Sequence, residues 1–149
     1  MGDGTKAAAD HLEHEMVLLT RLLEALTRRR NYPLDRAPYL LLLQLAEGAK
    51  NINELATTLA LDGTTVTRQI ASMETRGLVE KTSDPTDGRI ALVARTEKGA
   101  RLVEDMRRVR VERVKELFSE WSEEDMSAFA GYLARCNLDL YDYIETVSK

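Results

Sequence analysis

The segment DGTTVTRQIASMETRGL, residues 62–78, gathers the side chains best suited to chemistry in this chain. Val66, Ile70 and Met73 recur at i, i+4 and i+7, which is the spacing of one buried helix face. Asp62 stands where it can cap the first turn of that helix. The other face then presents Thr64, Thr65, Thr67, Arg68 and Ser72, with Gln69 toward its edge and no acidic side chain before Glu74. Small hydroxyls, an amide and one guanidinium can enter a DNA major groove, where arginine reads guanine bidentately, glutamine pairs with adenine and threonine methyls meet thymine methyls. Just before it, NINELATTLA places Asn51 and Glu54 at capping-box spacing and Ile52, Leu55 and Leu59 on one stripe. Two short helices joined by a tight turn follow from that pattern.

A second cluster lies in DPTDGR, Asp84 to Arg89, between LVEKTS and IALVART. Leu78 and Val79 open one strand after Gly77 ends the helix, and Ile90, Leu92 and Ala94 alternate with Ala91, Val93 and Arg95 in the next. Asp84-Pro85 and Asp87-Gly88 are turn formers, so Arg89 falls near the tip of a two-stranded wing. Beside a helix in the major groove, such a wing lies over the neighbouring minor groove, whose negative potential attracts an inserted arginine. The other reading is that Asp84 or Asp87 pairs with Arg89 and stiffens the turn; both can hold together.

Other chemistry has less behind it. His11 and His14, in HLEHE, stand at i and i+3 with Glu15 nearby, but two histidines without further clustered ligands are more often surface than a metal site. No metal or cofactor is expected. The single cysteine, Cys136, has no second thiol and lies on an apolar seam, so it reads as an inert buried thiol. No G-x-S-x-G, Walker loop, G-x-G-x-x-G or paired-carboxylate setting occurs, and no catalytic residue is assigned.

The elements that must hold these clusters are helical. Leu12, Met16, Leu19, Leu23 and Leu26 mark a first long helix that ends in the Arg28-Arg29-Arg30-Asn31 run before Pro33. Those arginines can touch phosphate or simply complement the helix C-terminus. Asp35 can cap a second helix, whose body YLLLLQLAEG (Tyr39 to Gly48) is apolar almost all round and belongs in the middle of the fold. Thr96 caps a long helix with Val103, Met106, Val114 and Leu117 among its apolar positions, and Ser122 to Asp125 has capping-box spacing before the last helix. In that last helix Met126, Phe129, Leu133, Cys136, Leu140, Tyr143 and Val147 alternate at three and four. So regular a seam needs another helix against it, either the first helix or a second copy of the chain.

The bulk numbers bound the answer. A chain of 149 residues that is 44% hydrophobic and 31% charged fits one compact domain. No apolar run long enough to span a membrane and no basic, apolar leader occurs at the N-terminus, which leads to a cytoplasmic placement and no membrane partner. The net charge of −4 argues against a surface built to coat nucleic acid. Between Asn51 and Thr96 five basic residues face six acidic ones, a local net charge of −1, so random DNA should be held weakly. Arg107, Arg108 and Arg110 can add positive charge or form an ion-paired face.

NINELATTLALDGTTVTRQIASMETRGLVEK, the wing DPTDGRIALVARTEKG and the order of helices around them resemble the MarR (multiple antibiotic resistance regulator) family of winged helix-turn-helix transcription factors. The resemblance covers essentially the whole chain and is most specific over 39–99. Many members carry arginine where Thr86 stands and another basic residue where Gly88 stands, so this wing keeps only Arg89 of a usually richer basic tip. It implies a mainly α fold: a winged helix-turn-helix with long N- and C-terminal dimerisation helices and one small β-hairpin wing. Residues 1–34 and 97–149 would dimerise and 35–96 would bind double-stranded DNA through Thr64, Thr65, Thr67, Arg68, Gln69, Ser72 and Arg89. The implied function is a homodimeric repressor of a pseudo-palindromic operator, with half-sites about one turn or roughly 10 bp apart, released by a small aromatic effector. His11, His14, Tyr32 and Tyr39 are the candidate effector-binding residues. The competing reading is a winged-helix module that docks a protein and has no operator binding.

Overall fold

A computed structural model describes residues 2–149. The chain divides after Pro33 into two compact units. The first is dominated by α1 (Gly2–Arg29), with Arg28 and Arg29 in its last turn, where the helix dipole favours cations. None of its residues is buried, and Leu12, Met16, Leu19 and Leu23 of the expected stripe are all exposed.

The second unit, Leu34–Lys149, contains the remaining elements. α2 (Arg36–Gln44) runs into a 3₁₀ turn, Leu45–Glu47, that stops at Gly48 with φ 138°. Asp35 occupies the N-cap of α2, yet its side chain makes no capping bond, contrary to the expected cap. Pro38, Tyr39, Leu41, Leu42 and Leu45 are buried, as a central helix requires, although Leu40 is exposed. α3 (Ile52–Leu59) starts with a complete capping box: the Asn51 side chain accepts from the Glu54 N–H and the Asn51 N–H donates to the Glu54 carboxylate. α3 ends at Ala60, which takes the left-handed conformation (φ 51°) uncommon for a residue with a side chain. α4 (Gly63–Thr75) follows, and Val66, Ile70 and Met73 form its buried face as their spacing predicts.

The wing is part of a slightly larger sheet than expected. β2 (Val79–Ser83) and β3 (Ala91–Arg95) pair antiparallel with Lys81 opposite Val93, and β1 (Lys50–Asn51) adds a third strand on the other side of β3. Two residues have too little length to show a period, so β1 leaves no alternation in the sequence. It ties the start of α3 to the wing strand.

α5 (Glu97–Leu117) is rooted at this sheet. The Thr96 hydroxyl accepts from Gly99 N–H at 3.1 Å and donates to the Gly77 carbonyl at 2.6 Å, while Thr96 N–H donates to Leu78 O at 3.0 Å. Lys98 Nζ donates to the carbonyl of Arg76 at 2.9 Å, which satisfies an orphan acceptor at the end of α4. Val103 and Met106 are buried, but Val114 and Leu117 are exposed. At the far end Phe118, Trp121 and Phe129 pack as an aromatic corner, with the Phe118 and Trp121 rings edge to face at 4.9 Å, before α6 (Glu123–Val147). Ser122 Oγ caps α6 by accepting from Asp125 N–H. α6 has no fully buried residue, and Cys136 is half-exposed rather than buried as expected, because no other element of its own unit packs over that face.

Gly99 shows how close α5 comes to the wing root. A Cβ there would lie 2.1 Å from Leu78 O and 3.3 Å from a methyl of Leu42. Gly99→Ala should therefore destabilise the fold by about 3 kcal/mol, the upper end for overpacking, because the obstacle is backbone. Thr96→Ala should cost about 1–2 kcal/mol through its lost cap. Urea unfolding at a fixed protein concentration checks both; an unchanged midpoint for Gly99→Ala would mean that α5 can shift off Leu78 at no cost.

Candidate nucleic-acid interface

The turn between α3 and α4 sets the aim of the exposed helix. Leu61 N–H reaches back to Ala56 O at 3.0 Å, and the Asp62 carboxylate then accepts both the N–H and the hydroxyl of Thr65 at 2.7 Å. These bonds hold the Asp62 carboxyl below the usual aspartate range, the Thr65 hydroxyl contributing most. With Val66, Ile70 and Met73 inside, Thr64, Thr67, Arg68 and Ser72 are exposed on α4. Thr65 and Gln69 are half-buried on one flank. The Thr65 hydroxyl proton is committed to Asp62, so Thr65 can offer a partner its methyl or a lone pair but no free donor. Ala71 and Thr75 share the exposed face. They were missed because alanine is chemically mute and because the Thr75 hydroxyl bonds Ala71 O at 3.0 Å within its own helix.

The wing is organised by its two aspartates. Asp84 Oδ1 accepts from the Thr86 N–H at 2.8 Å and from its hydroxyl at 2.7 Å, which lowers the Asp84 carboxyl below its ordinary range. Asp84 therefore pairs with Thr86 and leaves Arg89 to Asp87. Arg89 Nε lies 3.1 Å from Asp87 Oδ1 and a terminal nitrogen 3.3 Å from Oδ2, a forked contact that lowers the Asp87 carboxyl. The Arg89 side chain is nonetheless 91% exposed. The reading in which Asp87 pairs with Arg89 and stiffens the turn therefore holds, and the paired side chain still faces solvent.

The basic residues of α5 are largely spent on their own helix. Arg101 pairs with Glu97, Arg107 with Glu104, Arg108 with Asp105 and Lys115 with Glu112. Arg110 lies over the Tyr39 ring, 4.8 Å from its centroid, a cation–π contact. Arg107 and Arg108 thus form the ion-paired face rather than an extension of the basic surface.

The four effector candidates are divided between the two units. His11 and His14 are exposed on α1, and His11 Nε2 lies 3.5 Å from Glu15. Tyr32 is half-buried at the end of the first unit. Tyr39 is core, closed over by Arg110. Among the described residues no group of three or more His, Cys, Asp or Glu side chains could hold a metal ion. No helix among them is long and apolar enough to cross a membrane.

Comparison with known proteins agrees with this geometry. Residues 32–90 match the MarR family. The uncharacterized HTH-type transcriptional regulator YxaD of Bacillus subtilis is 35% identical over 134 residues, which span 88% of this chain and 94% of that protein. A MarR family protein from Bacillus stearothermophilus superposes with a TM-score of 0.68 at 25% identity, covering 94% of this chain and 98% of that one. A mutant MarR from E. coli complexed with operator DNA shares the fold with a TM-score of 0.64 at 22% identity, covering 82% of this chain and 95% of that chain.

All three aspartates around the α4 cap and the wing have folded values held below 3.8, so each contributes stability that is full above that value. The contribution should disappear as pH falls through the lowered folded values. Carboxyl-carbon NMR titration should find Asp62, Asp84 and Asp87 titrating below an unstructured aspartate; an ordinary midpoint at Asp87 would break the Arg89 pairing described above.

Proposed function

The chain belongs to the MarR family of DNA-binding transcriptional regulators, and from that premise we propose that it acts as a cytoplasmic homodimeric repressor of a pseudo-palindromic operator. The observation that carries the reading is the exposed face of α4, where Thr64, Thr67, Arg68 and Ser72 face solvent with no acidic side chain between Asp62 and Glu74, while Val66, Ile70 and Met73 anchor the helix. In this reading α4 enters the major groove, Arg68 reads a guanine and Arg89 of the wing reaches the adjacent minor groove. Thr65 and Gln69 support the helix from its flank, where Gln69 still has an amide to offer.

The homodimer is supported by apolar surface that the single chain leaves open. Leu12, Val17 and Leu22 on α1 and Leu138, Tyr143 and Val147 on α6 are each more than half exposed, on helices that bury no residue at all. Large apolar side chains repeated along one face of a long helix are the usual mark of an association surface. Residues 1–34 and 97–149 would then form the dimerisation part and 35–96 the DNA-reading part. Two-fold symmetry sets the two α4 helices about one DNA turn, roughly 34 Å, apart.

Release would come from a small aromatic ligand with unequal affinity for the two spacings of the dimer. Tyr32, at the end of the first unit, and Tyr39, under Arg110 in the second, are the aromatic residues we assign to that response, with His11 and His14 on α1. The local charge of −1 around the reading helix and wing favours the second reading, a winged-helix module that docks a protein instead.

Fluorescence anisotropy on the promoter fragment flanking the chain's own gene, beside a scrambled fragment, separates the two. Arg68→Ala should lose about 1–3 kcal/mol selectively on the specific fragment, as for a bidentate guanine contact. Arg89→Ala should weaken binding and reduce the salt slope by about one contact. Failure to select any fragment from the whole genome would favour the protein-docking module.

A further inference from the structure

A cleft of about 520 Å³ opens where the carboxyl end of α6 meets the turn of the helix-turn-helix. Its size is that of a small-molecule site. Ala60, Leu61 and Asp62 line it from the turn, and Tyr141, Ile144 and Glu145 line it from α6. The Tyr141 hydroxyl donates to the carbonyl of Thr58 in the last turn of α3, which ties the two walls together. Tyr141 and Ile144 remain exposed although both are largely apolar.

The lining has one sign of charge. It holds the carboxylates of Asp62 and Glu145 and no lysine, arginine or histidine. Both Asp62 oxygens already accept from Thr65, which keeps that charge fixed in place. Asn53, Thr57 and Ser148 add uncharged polar groups, but the two carboxylates, the aromatic ring and the aliphatic walls favour a hydrophobic organic cation over an organic anion of the same shape.

We propose that this cleft binds a hydrophobic organic cation and that its occupancy bears on the aim of α4. The first half stands on the cleft alone; the second rests on the operator reading above. The route is short: a ligand between Ile144 and Leu61 touches the left-handed Ala60 turn and the Asp62 cap, the two features that set where α4 begins. A ligand that prefers one setting of that turn shifts DNA affinity by its preference and no more.

Tetraphenylphosphonium and tetraphenylborate, which share a shape and differ in charge, test the first half by calorimetry on the full chain without DNA. The phosphonium should bind once per chain, the borate should not, and Glu145→Gln should weaken the phosphonium by roughly three- to tenfold, as for loss of one partly exposed charge. Equal binding of the two ions, no binding of either because a second copy fills the cleft, or indifference to Glu145→Gln would each overturn the site. The phosphonium should then change operator affinity in wild type but less in Glu145→Gln at the same concentration. Because operator selectivity is measured without any cation, its loss would strike the DNA reading and leave the binding result standing.

Discussion

The junction at Thr96 to Gly99 is the constraint on which the second unit depends. One threonine bonds the end of α4 through Gly77, the root of the wing through Leu78 and the first turn of its own helix through Gly99. Gly99 permits that approach because any side chain there would run into the Leu78 carbonyl. Lys98 adds a fourth tie to Arg76 at the end of α4. α4, the wing and α5 are thereby fixed to one another within a few ångströms of backbone, so a change in the direction of α5 must be felt by α4 and the wing together.

Charge in this molecule is placed with economy. Arg101, Arg107, Arg108 and Lys115 are paired along α5, Arg110 lies over Tyr39 and Arg89 is forked by Asp87. Arg68 is left as the basic side chain on the exposed face of α4. A surface with so little net positive charge gains little from counterion release, so its discrimination must come from direct contacts and from geometry. The stiffened wing fits that division, since a fixed arginine loses less entropy on contact than a mobile one.

The open faces of α1 and α6 complete the picture. The α6 seam alternating at three and four has no fully buried residue, and the aromatic corner of Phe118, Trp121 and Phe129 holds the start of that helix. Exposed apolar surface of this kind is what the proposed dimer would cover. Cys136 lies on that seam and is half-exposed in the single chain.

Local rules carried much of this structure in the sequence itself. The capping box of Asn51 and Glu54, the Asp62 cap, the Val66, Ile70 and Met73 face and the turn at DPTDGR are short-range patterns, set by helix period and by side chains that bond backbone two or three residues away. What the tertiary structure alone decided lies at longer range. Strand β1 is two residues long and exists only because β3 offers it an edge. Which aspartate takes Arg89, the spending of the Thr65 hydroxyl on Asp62 and the closing of Arg110 over Tyr39 each turned on a choice among several partners. Asp35 had the right type and place for a cap and still makes no capping bond. Spacing names the candidates for a contact, and only the fold, by bringing distant backbone such as Leu78 and Gly99 to one point, selects among them.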